Sequence, residues 1–443
     1  MPRFGQYAGC SVVLARPELP PCKRAADNGW HVTLPGPAGS ANAPLVLRGG
    51  HVFDSTRRTF QRADVSLAAG RIAGLDGSRP EGAAILDATG CCIIPGLIDC
   101  HVHLTSSGDP RELNGGRGQP LSQRAWKAAG YAKSTLEAGI TTVRDLGAAE
   151  RLNVEMASAI ANGLIPGPRM FAAGLGVTMT GGHGHGFVAT EADGPDGVRR
   201  AVREQLRAGA TAIKLFASGG VMTPGVDPRS PSFTEDELRA GVEEAHKAFR
   251  VVAAHAQATD GIKNALRAGV DSVEHGIWLD DEAIQLMLDQ GTYLVATLTA
   301  PFQIQNNGLE AGIPQFVVDK GTRVLEDHEA SFRAAVAAGV NIAMGTDQGT
   351  PVNRPGENAQ ELVRMVQLGL SPATALMAST AWAADLLKVS NEVGRLEPGL
   401  AADLVVLDRD PLASIEALTD QSAIRAVIQA GAVVRSSLPR TEE

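Results

Sequence analysis

Two histidines one residue apart, His101 and His103, end an apolar run that reads Ile93-Ile94-Pro95-Gly96-Leu97-Ile98-Asp99-Cys100. Alternate side chains of an extended chain share a face, so the two imidazoles stand on one side, about 6.6 Å apart along the strand. That is near enough for both to bind one metal ion. Two histidines on one strand face also occur without any function. The reading therefore depends on what else in the chain answers to them.

Several residues do. Lys214 interrupts the otherwise apolar run from Thr211 to Ala217, His255 closes Val251-Val252-Ala253-Ala254, Glu274-His275 closes Val270 to Val273, and Asp347 follows Gly345-Thr346. Taken singly, each has an ordinary explanation: a lysine paired with a carboxylate, a packed histidine, an aspartate capping the next turn. Imidazole and carboxylate are nevertheless the ligands zinc takes, and a zinc site with an open position generates hydroxide near neutral pH. His101, His103, Lys214, His255, His275 and Asp347 all fall at or near strand ends, which is a pattern hard to obtain by chance.

The elements that must position them alternate. Helical periodicity marks 122–138, 150–162, 196–208, 235–249, 259–268, 280–290 and 327–338, with Thr234 and Glu237 forming a capping box. Most of these helices end in glycine, and a short apolar strand follows at once, as at Gly269 and Gly339. Glycine there supplies the left-handed residue that turns the chain back. Eight such strands over about 300 residues predict an α/β fold, a (β/α)8 TIM-like barrel spanning 95–393. A doubly wound open sheet would alternate in much the same way. Barrel enzymes carry their chemistry at the C-terminal strand ends, where the six residues lie.

Both ends of the chain read differently. Short strand-like runs punctuated by Gly-containing turns fill 44–94 and return over 394–436, predicting a small β-sandwich domain assembled from the two termini. Residues 1–43, rich in Pro, Gly and small polar residues, read as a flexible extension. The chain of 443 residues is 44% hydrophobic with a net charge of −9. A net negative charge without basic runs argues against nucleic acid as a partner; the expected partner is a small-molecule substrate. No apolar stretch approaches a membrane span. Cys10, Cys22, Cys91, Cys92 and Cys100 match neither a zinc finger nor a disulfide framework, which suits a reducing cytoplasm.

These motifs together resemble the amidohydrolase superfamily of metal-dependent hydrolases over about residues 45–434. The supporting text is Pro95-Gly96-Leu97-Ile98-Asp99-Cys100-His101-Val102-His103, Thr141 to Gly147, Ile213 to Gly220, Val273 to Gly276, Gly345-Thr346-Asp347 and Gly394 to Val406. The nearest branch contains imidazolonepropionase-like proteins, Xaa-Pro and related dipeptidases, and ochratoxin-hydrolysing amidases. The resemblance implies two Zn2+ per chain, other divalent metals being possible. His101, His103 and Asp347 would hold one, His255 and His275 the other, and Lys214, carboxylated by CO2 to a carbamate, would bridge them. It further implies attack by a bridging hydroxide, with Asp347 as proton shuttle, on an amide next to a free carboxylate. A homo-oligomer is expected from the same branch.

Beyond the ligands, His183 and His185, in the glycine-rich run 181–186, are expected to polarise the substrate carbonyl or bind its carboxylate. Arg229 and Tyr293 are further substrate-binding candidates, Tyr293 because it is read as ending the seventh strand. Arg144-Asp145 is read as a structural ion pair at the barrel mouth. Gln257 stands where relatives often carry a second histidine, which puts any role of that position in doubt. Rival chemistries are cyclic-amide or imidazolone hydrolysis and deamination, against which Lys214 weighs, and lactone or phosphotriester hydrolysis on the same metal site. A metal-free scaffold of the same fold is the remote alternative, at odds with a complete ligand set.

Overall fold

The computed structural model describes residues 43–112 and 118–441; the extension read over 1–43 lies, but for Ala43, outside them. The chain opens with strands β1 (Leu45–Asp54), β2 (Thr59–Ala68), β3 (Arg71–Gly74), β4 (Ala84–Asp87) and β5 (Cys92–Pro95). These share one nine-stranded sheet with four strands from the other end of the chain. The sheet is mixed: β1 runs antiparallel to β2 but parallel to both β4 and β5. Its own apolar cluster includes Leu47, Val65, Ile72, Ile93, Val406 and Ile428.

The middle of the chain is mixed α/β, built on parallel sheets. Strands β6 (Leu97–Val102), β7 (Ile140–Asp145) and β8 (Arg169–Ala172) form one sheet. Strands β9 (Gly176–Thr178), β10 (Ala189–Glu191), β11 (Ile213–Phe216), β12 (Val252–Ala256), β13 (Ser272–His275), β14 (Tyr293–Val295) and β15 (Asn341–Ile342) form another, in the order β10-β9-β11-β12-β13-β14-β15. Every residue of β6, β7, β11, β12 and β13 is buried, as expected where helices cover a parallel sheet. The chain returns to the terminal sheet as β16 (Leu404–Leu407), β17 (Ile424–Gln429), β18 (Ala432–Ser436) and β19 (Arg440–Thr441), with β16 antiparallel to β5.

The helices are α1 (Leu121–Glu137), α2 (Leu152–Ala161), α3 (Gly194–Arg207), α4 (Glu235–Lys247), α5 (Thr259–Ala268), α6 (Asp281–Gln290), α7 (Thr299–Asn307), α8 (Gln315–Ala338), α9 (Gln360–Gln367), α10 (Pro372–Ala378) and α11 (Ala381–Leu386). The Thr234–Glu237 capping box opens α4, and Gly269 and Gly339 close their helices in the left-handed conformation. Two expectations change. The helix expected over 327–338 begins at Gln315, because its first half, with Val317, Val318, Gly321 and Thr322, is poor in helix formers and gives a weak periodic signal. Gly321 lets α7 approach closely: a Cβ there would lie 2.7 Å from Ile304 Cγ2. The eighth strand is regular only over Asn341–Ile342. Residues 343–348 continue alongside β6 through Cys100 N–H to Met344 O, Asp347 N–H to His101 O and His103 N–H to Gln348 O.

Candidate metal centre

His101 and His103 lie at the C-terminal end of β6 and meet Asp347 from the neighbouring segment. Their Nε2 atoms stand 3.4 and 3.3 Å from the same Asp347 oxygen. One ligand atom from each of the three residues falls within 4.8 Å of the others, close enough to share an ion. The opposite nitrogens are tied down. His101 Nδ1 lies 2.7 Å from Glu274 Oε2, and Glu274 Oε1 accepts from Arg144 at 2.9 Å and from the Ser272 hydroxyl. His103 Nδ1 lies 2.9 Å from Gly147 O. Such partners fix the tautomer and the ring orientation of a metal-binding imidazole. Arg144 is thus buried inside the fold and not at its mouth: it pairs with Glu274 rather than Asp145, which instead accepts from Leu104, Gly147 and Asn153.

Asp347 adopts φ 56° and His275 φ 71°. Left-handed backbone in non-glycine residues is strained and clusters at functional sites. Burial by itself would raise the Asp347 carboxyl, but His101 and His103 beside it bring it down to about 2.

A second group faces the first. Parallel register sets Phe216 beside His255 and Ala256 beside His275, bringing the ends of β11, β12 and β13 together. His255 Nε2 is 2.9 Å from Gly219 O and His275 Nδ1 is 2.7 Å from Thr297 Oγ1, leaving His255 Nδ1 and His275 Nε2 for the cavity. The His255 and His275 rings are 4.6 Å apart, and those of His101 and His275 5.2 Å. Burial holds His101, His255 and His275 well below the usual imidazole range, in the neutral form that binds metal. Lys214 sits among them, 2% exposed, with no hydrogen-bond partner for its Nζ among the described residues. Burial lowers its amine to about 8. A buried amine without a partner is costly.

All six residues line one cavity of about 370 Å3. His183 and His185 line it too, His185 with its Nδ1 2.7 Å from Gly182 O. Gln257 also lines it, with no partner for its Oε1 among the described residues. Arg229 does not: it lies over Trp278, 4.9 Å from the ring centroid, and 3.7 Å from Asp327. Tyr293 opens β14 rather than closing it, beside Ser272 and Asn341, because regular pairing begins at this residue and runs on to Val295. It is buried but does not reach the cavity lining.

His328 of α8 was not anticipated. It lines the cavity and contacts His275 O through Nε2 at 3.0 Å. Nothing in its helical context marks it. Glu274 precedes a candidate ligand and was legible as part of the motif, though not as the partner of His101.

The amidohydrolase family model matches residues 92–434. The chain belongs to the amidohydrolase family. It is a hydrolase acting on carbon–nitrogen bonds, in a family that is generally metal-dependent. It is 33% identical over 370 residues to the ochratoxinase of Aspergillus niger, covering 76% of this chain and 75% of that one. The solved structure of a prolidase complexed with N-methylphosphonate-L-proline superposes with a TM-score of 0.81 at 33% identity, covering 89% and 100%. A Xaa-Pro dipeptidase with methionine bound in its active site gives 0.78 at 31% identity, covering 88% and 99%. No helix among the described residues is long and apolar enough to cross a membrane.

Proposed function

We propose that this amidohydrolase uses two metal ions to cleave an amide next to a free carboxylate, in a dipeptide, an N-acyl amino acid or an ochratoxin-like amide. One observation carries the reading. Four imidazoles each tie one nitrogen to the protein and leave the other for a single cavity, which also receives the unpartnered Lys214 amine and Asp347.

His101, His103 and Asp347 would hold one ion, His255 and His275 the other, with Lys214 as a carbamate between them and zinc as the expected metal. Such a pair supplies an activated water and polarises the scissile carbonyl. Asp347 accepts the proton of the attacking water and returns it to the leaving amine. His183 donates a hydrogen bond to the carbonyl oxygen as negative charge develops there. His185 is a candidate for the substrate carboxylate, while Arg229 and Tyr293 have no part in this reading. Val221, Ile277, Ala300, Ile304 and Val324 give the cavity an apolar wall suited to a hydrophobic side chain or acyl group.

The strands are read as one closed (β/α)8 barrel over 95–393. This is supported by the Thr211 N–H bond to Ala172 O, which joins the two parallel sheets, and by the bonds between 343–348 and β6. The nine-stranded sheet is read as the composite domain of 44–94 and 394–436.

The test is a hydrolysis screen of zinc-loaded protein with metal analysis. Substrates span Xaa-Pro, Xaa-Arg and Xaa-hydrophobic dipeptides, N-acyl amino acids and ochratoxin A, with a lactone and a phosphotriester as controls. About two zinc per chain and turnover confined to amides with a free α-carboxylate are expected. Turnover of the controls alone would overturn the substrate class. Protein that takes up no metal would overturn the mechanism.

A further inference from the structure

We propose that Thr223 fixes His183 as the tautomer that carries its proton on Nε2, and that Lys320 of α8 holds Thr223 in place to do so. The inference deepens the role given to His183 above and rests on that reading for its catalytic consequence.

The Thr223 hydroxyl is buried between two partners. Its oxygen accepts from Gly184 N–H at 3.0 Å and lies 2.7 Å from His183 Nδ1. Among the described residues no other acceptor is in reach of the hydroxyl proton. If His183 donated from Nδ1, that proton would be buried without a partner. If Nδ1 accepts, every group in the chain Gly184–Thr223–His183 is satisfied. The ring proton then sits on Nε2, which no protein bond occupies among the described residues. The ring also lies flat on Gly220. A Cβ at that position would be 2.5, 2.6 and 2.7 Å from Nε2, Cδ2 and Cε1, nearly equal distances that put it over the ring face and leave the Nε2 edge free.

Thr223 sits in the loop after β11, and this loop is held from outside the site. The Lys320 ammonium, half-buried on α8, donates to the carbonyls of Gly220 (3.3 Å), Thr223 (2.7 Å) and Val226. Its three protons thus match three acceptors on one loop. Arg323 of the same helix reaches Asp227 at 3.2 Å. Gly219, at the start of the loop, gives its carbonyl to His255. Lys320 is therefore a positioning residue: it touches no candidate ligand, but the segment it ties down contacts both His183 and His255.

Thr223→Val keeps the side-chain shape and removes the hydroxyl, and Lys320→Met keeps much of the stem and removes the donors. The first readout is 15N NMR of histidine-labelled, metal-loaded protein, with His183→Gln identifying the His183 signal. Wild type should show the Nε2–H tautomer, and Thr223→Val should shift it toward Nδ1–H or a mixture. Thr223→Ser should restore it. The second readout is kinetic: kcat should fall about 10- to 100-fold in Thr223→Val, with KM and metal content nearly unchanged. Lys320→Met should give a smaller fall that Lys320→Arg partly restores. Its effect should shrink in the Thr223→Val background, since both act through one contact. A wild-type Nδ1–H signal, or a His183 signal unmoved by Thr223→Val, overturns the proposal. So does a Lys320→Met effect that simply adds to that of Thr223→Val. A tautomer that shifts as expected while His183→Gln leaves kcat intact supports the proposal and instead overturns the catalytic role of His183.

Discussion

The two halves of the candidate metal centre are built differently. His101 is backed by the Glu274 carboxylate, itself neutralised by Arg144 with both side chains fully buried. Its neighbour Asp347 is held by the bond of its N–H to His101 O, and Thr346 by bonds to Asp99. His255 and His275 are backed only by a carbonyl and a hydroxyl, those of Gly219 and Thr297. A carboxylate behind an imidazole makes it more basic, whereas neutral acceptors orient it without adding much charge. On the two-metal reading proposed above, the first half would be the tighter site, and the second the one more dependent on a Lys214 carbamate and on the loop that Lys320 ties down.

This contrast can be broken at several points. Lys214→Ala should act most strongly. Activity should drop by about 10^3-fold or more, with loss chiefly of the ion at His255 and His275, as read by metal analysis. Retention of both ions and full turnover would remove the carbamate from the mechanism. Asp347→Asn should lower kcat by about 10^2- to 10^4-fold while keeping metal better than activity. Equal loss of both would leave Asp347 a ligand only.

The backing groups give a finer test. Glu274→Gln should weaken metal at the first site by about 10- to 100-fold in chelator competition. Thr297→Val should weaken the second by less. The reverse order would mean that backing charge does not distinguish the two halves. The smallest effect concerns Glu361, which accepts from Leu298 and Thr299 N–H just beyond Thr297. Burial raises its carboxyl from 4.5 to about 7. Below pH 4.5 it is protonated folded or unfolded. Between there and about 7 only the unfolded chain ionises, so the group stabilises less as pH rises. The Tm of wild type relative to Glu361→Gln should accordingly fall across that window by roughly a few degrees, and a flat difference would contradict the raised carboxyl.

Much of the candidate site was legible because its candidate ligands sit on short motifs at strand ends. A period-two strand sets His101 and His103 on one face, and apolar runs ending in His255, Glu274-His275 and Asp347 mark where parallel strands deliver polar groups. Lys214 stood out as a charge within an apolar strand. The substrate side was less legible. Arg229 is a candidate by its charge in the loop after Lys214, but a loop arginine goes wherever an aromatic face and a carboxylate meet it, here Trp278 and Asp327. Tyr293 is the first residue of its strand, which places it at the end opposite to the one that delivers the candidate ligands. His328, Thr223 and Lys320 belong to helices and loops whose local text carries no sign of what they touch.

The sequence by itself determined the alternation of strands and helices, the helix stops at Gly269 and Gly339, the β-rich character of both chain ends, and the identities of the candidate ligands. Each follows from local periodicity, capping or residue chemistry. Only the tertiary structure decided which nitrogen of each imidazole faces the cavity, that Arg144 serves Glu274 and so His101, that the Lys214 amine has no hydrogen-bond partner among the described residues, and that α8 ties down the loop carrying Thr223. Those outcomes depend on contacts between residues far apart in sequence, such as His101 with Glu274 and Thr223 with Lys320. Hydrogen bonds of that range are set by how the strands register and how the helices pack, which local pattern does not encode.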